Sequence, residues 1–244
     1  MNELIQTDII NQVVDKPTAA ELDRLNAELA ELGPQGILKW AIHKFGPKLG
    51  MACSFGGISC MVLLDMAVRL DPQIRIFYLD PGFLFPETYA FRDEVIRHYG
   101  INPQAFRPWL TPEEQAAEYG ETLWEHDPDK CCAIRKIEPN QRALEGLQAW
   151  VAGLRRDQSV TRQNLRPIEW DKKFNLYKIS PLWDWTEEMV WVYLRAEQVP
   201  YNPLHDQGYP SLGCTHCTKP VVAGEDSRAG RWSGKNKTEC GLHY

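Results

Sequence analysis

The sequence predicts an α/β protein, a parallel sheet flanked by helices with an irregular C-terminal tail. Three observations predict it. Short apolar runs alternate with stretches of helical periodicity, the pattern of strand–helix units that cover a parallel sheet on both faces. A glycine turn joins the first of these runs directly to a helix. After Pro200, proline, glycine and polar residues replace periodicity. The 244 residues therefore divide into a main unit, 1–210, opened by N-terminal helices over 18–46, and a tail, 211–244.

The elements follow in order. Leu22, Leu25, Leu29 and Leu32 recur at helical spacing, and Gly33-Pro34 closes that helix. Residues 37–45 read as a second helix. The run 49–53 reads as a buried strand, 54–57 as a turn and 58–68 as a helix. A second strand spans 74–79 and stops at Asp80-Pro81-Gly82. Pro86 opens a helix to about residue 98, as proline at a first helical position does. Residues 149–152 read as another strand. The runs 168–170 and 176–178 suggest a small hairpin around Lys172-Lys173, and 186–197 a late helix capped by Thr186. Ligands of such sheets bind beyond the carboxyl ends of the strands. The loops 54–57, 80–85 and 153–162 fall there.

Composition narrows the function. An apolar fraction of 43% is enough for a full core. With 27 basic and 33 acidic residues the net charge is −6, which argues against a general nucleic-acid surface, so any anion site is local. No apolar stretch is long enough for a membrane span. The opening residues 1–6 lack the charged and apolar regions of a signal peptide. The expected location is the cytoplasm, where clustered cysteines bind metals or catalyse rather than form disulfides.

The seven cysteines are of different kinds. Cys131-Cys132 and Cys214-Thr215-His216-Cys217 are paired, whereas Cys240 stands alone near a terminus that is expected to be mobile. The pairs point to a metal or iron–sulfur site and the lone thiol to a nucleophile. Cys214 and Cys217 have zinc spacing, but helical neighbours such as Cys131 and Cys132 do not face a common point. Diverging neighbours can each take a corner of a cubane, which favours a [4Fe–4S] cluster held by Cys131, Cys132, Cys214 and Cys217, with zinc as the alternative. Cys53 and Cys60 read as small core residues.

The loop Ser54-Phe55-Gly56-Gly57 lets a backbone approach a ligand and presents free N–H groups at a helix start. It resembles the phosphate loop of ATP pyrophosphatases, Ser-Gly-Gly-x-Asp-Ser, with a Phe inserted and the Asp missing. That implies a nucleotide held without expulsion of pyrophosphate.

Together the motifs resemble the assimilatory adenylyl-sulfate and phosphoadenylyl-sulfate reductases, in the branch that carries a cluster. The residues behind the resemblance are Cys131-Cys132-Ala133-Ile134-Arg135-Lys136, Leu154-Arg155-Arg156-Asp157-Gln158-Ser159, Cys214-x-x-Cys217, Arg228-Ala229-Gly230-Arg231-Trp232 and Glu239-Cys240-Gly241-Leu242-His243. The segment from Leu79 to Thr88 is also similar, with Pro81 where the family has Thr. The resemblance implies an adenine nucleotide α-hydrolase-like fold, catalysis by Cys240, and a small nucleotide substrate. The expected reaction is reduction of adenylyl sulfate (APS) to sulfite and AMP through an S-sulfocysteine, with thioredoxin or a glutaredoxin-like donor. It also implies substrate contacts from Ser54, Phe55, Gly56, Gly57, Leu79, Lys136, Arg162, Arg228, Arg231 and His243. The alternatives are the same reaction on phosphoadenylyl sulfate (PAPS), with a further basic contact from the strand–loop around Ser54 or from Arg155 or Arg156, a cluster-dependent tRNA thiolase, and a zinc-stabilised binding module. A homo-oligomer is compatible with the sequence. Nucleic-acid and membrane partners are not expected.

Overall fold

The computed structural model describes residues 16–222, 224–235 and 237–243; the opening stretch 1–6 lies outside them. Helix α1 (Ala19–Ala30) starts at a capping box in which Thr18 and Glu21 satisfy each other's free N–H groups. Helix α2 (Gly33–Phe45) begins earlier than the periodicity suggests, because Pro34 sits in its first turn, where a missing N–H does no harm. Strand β1 (Leu49–Ala52), helix α3 (Ile58–Leu70), strand β2 (Ile76–Leu79) and helix α4 (Pro86–Tyr99) follow as predicted, with ends shifted by a few residues.

Residues 104–144 fold into elements that the sequence does not announce. They are strand β3 (Gln104–Phe106), helix α5 (Pro112–Tyr119), two short helices, α6 (Leu123–His126) and α7 (Pro128–Cys132), and helix α8 (Glu138–Leu144). A π-helical turn, Ala133–Ile137, joins α7 to α8. Pro139 gives its cause: it has no N–H to donate to the carbonyl four residues back. Strand β4 (Ala149–Val151), the hairpin of β5 (Ile168–Asp171) and β6 (Leu176–Ile179), and helix α9 (Glu187–Ala196) complete the main unit.

The six strands lie in the order β3-β2-β1-β4-β6-β5, all pairs parallel except β5 with β6. Apolar strands such as Leu49–Ala52 suit a parallel sheet, because both of its faces are covered. Ile76, Tyr78, Ala149 and Val151 face one core with α3, while Phe77, Phe106, Trp150 and Leu176 face the other. Ten of the thirteen residues of α3 are buried, so this helix is enclosed rather than amphipathic; truncating Leu63 to Ala there would cost about 2–5 kcal/mol. The chain runs from β1 outward to β2 and β3, then returns to place β4 on the other side of β1. The strand order therefore reverses between β1 and β4, and a crevice opens beyond their carboxyl ends. The described residues of 211–243 form no regular strand or α-helix. A 3-10 turn, Thr215–Cys217, and a single bridge between Thr218 and Arg231 organise them.

Candidate active site

The crevice is a cavity of about 280 Å3. Its floor is the loop after β1. Phe55 adopts φ 54°, a left-handed conformation uncommon outside glycine, and its ring is buried edge-on to Tyr78 at 5.5 Å. The strain is offset by that burial. Phe55 thus belongs to the loop through its backbone, while its side chain belongs to the core and does not line the cavity. Asn202 donates to the Phe55 carbonyl at 3.2 Å and His205 Nε2 to the Gly56 carbonyl at 2.9 Å. Burial lowers the pKa of His205, which keeps it neutral for that role. The start of α3 has no side-chain cap and opens on the cavity through Gly57 and Ile58.

One wall comes from the loop after β4. A Cβ on Gly153 would stand 3.1 Å from the Cys60 backbone nitrogen, so glycine permits this loop to close on α3. Arg155 is buried, donates to Ser59 Oγ and pairs with Asp157 at 2.9 Å. Arg156 points elsewhere, donating to the Leu165 carbonyl at 2.8 Å and lying 4.1 Å over Trp183. Leu79 lines the opposite side.

The tail closes the cavity. Cys240, Leu242 and His243 line it together with Lys136, Arg162, Arg228 and Arg231. The structure thus gathers every predicted contact residue except the Phe55 side chain around one space, bringing the loop at 54–57 together with the C-terminal tail. His243 stacks on Trp150, ring centroids 5.4 Å apart. Burial and the surrounding Arg162, Lys178, Arg228 and Lys173 hold its pKa well below the ordinary imidazole value. Burial opposes the charge on Lys136, but the neighbouring Cys214 and Cys240 outweigh it electrostatically and push its pKa up.

Beside this cavity lies a smaller one lined by Cys131, Cys132, Cys214 and Cys217, with Lys136 common to both. Among the described residues no three Cys, His, Asp or Glu side chains form a group that could hold one metal ion. Burial pushes Cys131 up to about 11, with Cys214 and Cys217 adding to it, and Cys132 up to about 12. Burial also raises Cys217. Aromatic rings cover the site: Trp124 stacks on His216 at 3.8 Å, and Phe83 meets both edge-on. Arg135, 1% exposed, braces this corner with bonds to Gln115 and to the Leu110 and Thr111 carbonyls at 2.6–2.8 Å.

Sequence reasoning missed three contributors. Lys173 and Lys178 donate to the Gly241 and His243 carbonyls, and Glu239 pairs with Arg162 and Arg228. Only Glu239 had a signal, its place beside Cys240. Cys53 and Cys60 are buried, as expected of core thiols, yet both also border the cavity, with sulfurs 3.8 Å apart.

Fold and site define an α/β protein of the adenine nucleotide α-hydrolase type with a thiol set among cations in its crevice. Residues 48–220 match the family model described as the phosphoadenosine phosphosulfate reductase domain, and the chain belongs to that family. It is 47% identical over 232 residues to an adenosine 5'-phosphosulfate reductase of Shouchella clausii, covering 95% of this chain and 96% of the relative. It is 46% identical to adenosine 5'-phosphosulfate reductase 2 of Bacillus subtilis, covering 100% and 99%. A phosphoadenosine 5'-phosphosulfate reductase of Gloeobacter violaceus is 44% identical, covering 96% and 100%. A solved phosphoadenylyl-sulfate reductase from Candida auris, in complex with phosphate, superposes with TM-score 0.75 at 34% identity, covering 84% of this chain and 98% of that one. Family membership sets aside the tRNA-thiolase and binding-module alternatives. No helix among the described residues is long and apolar enough to cross a membrane.

Proposed function

We propose that this chain reduces APS to sulfite and AMP in the cytoplasm, with thioredoxin or a glutaredoxin-like protein as electron donor. The observation that carries the reading is the position of Cys240 on the wall of a cavity that also presents Lys136 and three arginines. Sulfate alone resists a thiolate, but joined to phosphate its sulfur carries a good leaving group. The Cys240 thiolate attacks that sulfur, an S–S bond forms, and the S–O bond to phosphate breaks with its electron pair leaving on AMP. The cations offset the charge that builds on the departing phosphate. A donor thiolate then attacks Cys240 Sγ, sulfite leaves with the electron pair, and the donor's second thiol closes a disulfide and frees Cys240.

The residues of the smaller cavity fit a [4Fe–4S] cluster. Four cysteines border one space, and burial raises the Cys131, Cys132 and Cys217 thiols there, so metal binding would have to displace their protons. Cys131, Cys132, Cys214 and Cys217 would hold it. Through a cluster held there, these cysteines would tie the two cysteine segments together, and the cluster would supply a field beside Lys136. Iron and acid-labile sulfide in anaerobically purified protein are the expected finding; one zinc and neither of these would reject the cluster.

APS is favoured over PAPS because Arg155, the predicted basic 3′-phosphate contact that reaches the cavity, is already paired with Asp157, while the other predicted place for that contact, the loop around Ser54, offers no cation. The decisive experiment incubates the protein with APS and no reductant, then weighs the C-terminal peptide. We expect one SO3 unit on Cys240 and none in Cys240→Ser. Sulfite formation by Cys240→Ser at the normal rate would overturn the assignment. Parallel turnover of APS and PAPS tests the substrate choice.

A further inference from the structure

The four cations on the cavity wall are not equivalent. Arg162 and Arg228 already hold a carboxylate: Arg162 Nη2 stands 3.0 Å from both oxygens of Glu239, and Arg228 Nη2 stands 3.0 Å from Oε2. The side chains of Arg162, Arg228 and Glu239 are 7%, 16% and 10% exposed, so the trio is largely desolvated. Arg228 also donates to the Thr238 carbonyl at 2.7 Å. The Ser159 and Thr161 hydroxyls lie 3.5 Å from the same carboxylate. By contrast, Lys136 and Arg231 have no carboxylate within ion-pairing distance among the described residues; Arg231 Nη1 donates to Ser211 Oγ at 3.2 Å and to the Leu212 carbonyl at 3.1 Å, and its Nε, like that of Arg162, is buried without a partner. The thiol sits one residue after the clamped carboxylate, on the wall shared with Lys136 and Arg231.

We propose that Glu239 is a positioning residue. Its carboxylate, clamped by Arg162 and Arg228, anchors the tail so that Cys240 faces Lys136 and Arg231, the two cavity cations that hold no carboxylate. The substrate half of this assignment rests on the reductase reading; the anchor itself does not. A partly buried carboxylate between two guanidiniums is a strong yet reversible fastening. Removing its charge leaves two desolvated cations unpaired, so the closed tail loses far more than a surface ion pair would. The opposite arrangement is also testable: Glu239 could instead compete with the substrate for the same arginines.

The test compares the wild type with Glu239→Gln and Glu239→Asp in the full, cluster-loaded protein. Without substrate, iodoacetamide labelling of Cys240 is followed across pH on the C-terminal peptide. The alkaline plateau reports access to the thiol, and the midpoint reports its ionisation. We expect Glu239→Gln to raise the plateau about tenfold and Glu239→Asp to restore part of the protection. With APS and no reductant, S-sulfonation at saturating substrate should fall about tenfold in Glu239→Gln while the half-saturating APS concentration stays constant. An unchanged plateau overturns the anchor. A lower half-saturating concentration with undiminished sulfonation overturns it in favour of competition. If wild-type Cys240 takes up no sulfonate, the reductase reading fails, and the labelling arm still decides the anchor. Arg228→Gln, which should raise the plateau as Glu239→Gln does and add little to it in the double variant, tests the clamp from the other side.

Discussion

The two thiol centres of this protein share Lys136 but are held in different ways. Around Cys131, Cys132, Cys214 and Cys217 the backbone does the holding. The Cys131 amide bonds to the Asp127 carbonyl, the Cys217 amide to the Cys214 carbonyl, and the Thr215 amide to the Phe83 carbonyl, all at 2.8–3.0 Å. Around Cys240 side chains do it: the Glu239 clamp, Lys173, Lys178 and the ring stack of His243 on Trp150. A hydrogen-bonded backbone fixes geometry. Long side chains hold a segment that can let go. That division suits the proposed reaction, in which the nucleophile meets first a small nucleotide and then a protein donor.

The sharpest way to break the comparison is through the residue that belongs to both centres. Lys136 projects from the π-helical turn immediately after the cysteine pair and borders both cavities. Such turns often mark functional positions, because the extra residue re-aims a side chain. Lys136→Ala should slow single-turnover S-sulfonation about 100-fold, as loss of one preorganised charge at a reacting oxyanion does. The thermal midpoint and iron content should stay near those of the wild type. Unchanged kinetics would separate the two centres and leave Lys136 as packing.

The same contrast explains what could be read in the sequence. The central strands were legible because a parallel strand is apolar on both faces, and 49–53 and 149–152 differ from β1 and β4 by one residue. The loop after β1 was legible from two glycines at a strand–helix junction. Strand β3 was not: it is three residues long, and its first residue, Gln104, is exposed. The helices between 112 and 144 were hidden because each is short and the π-helical turn interrupts their period. The cysteine motifs announced themselves through spacing. The tail's anchors did not, since Glu239 finds Arg162 across 77 residues and Lys173 finds Gly241 across 68. Nothing in a single chain says which of many arginines a carboxylate will meet. The resting position of the tail, docked by charge and stacking, was likewise not legible in the sequence.

Acid offers a gentler way to sharpen the comparison. His243 is docked neutral, because burial and the surrounding cations depress its pKa. A released tail would titrate near the ordinary imidazole value of about 6.5. The released state therefore binds more protons at low pH. The stabilisation from His243 is complete above about pH 6.5 and is lost as pH falls below it toward the depressed docked value. Between pH 7.5 and 5.5 docking should weaken about tenfold. Hydrogen exchange of the C-terminal peptide, corrected for intrinsic rates at each pH, should show that loss of protection. His243→Phe keeps a ring against Trp150 and removes the titration, so its profile should be flat. The peptide spanning 127–137 should hold its protection over the same range, because it carries no histidine and backbone hydrogen bonds do not titrate there. Equal losses in both regions would mean that acid loosens the whole crevice and that the two centres are not held by different means.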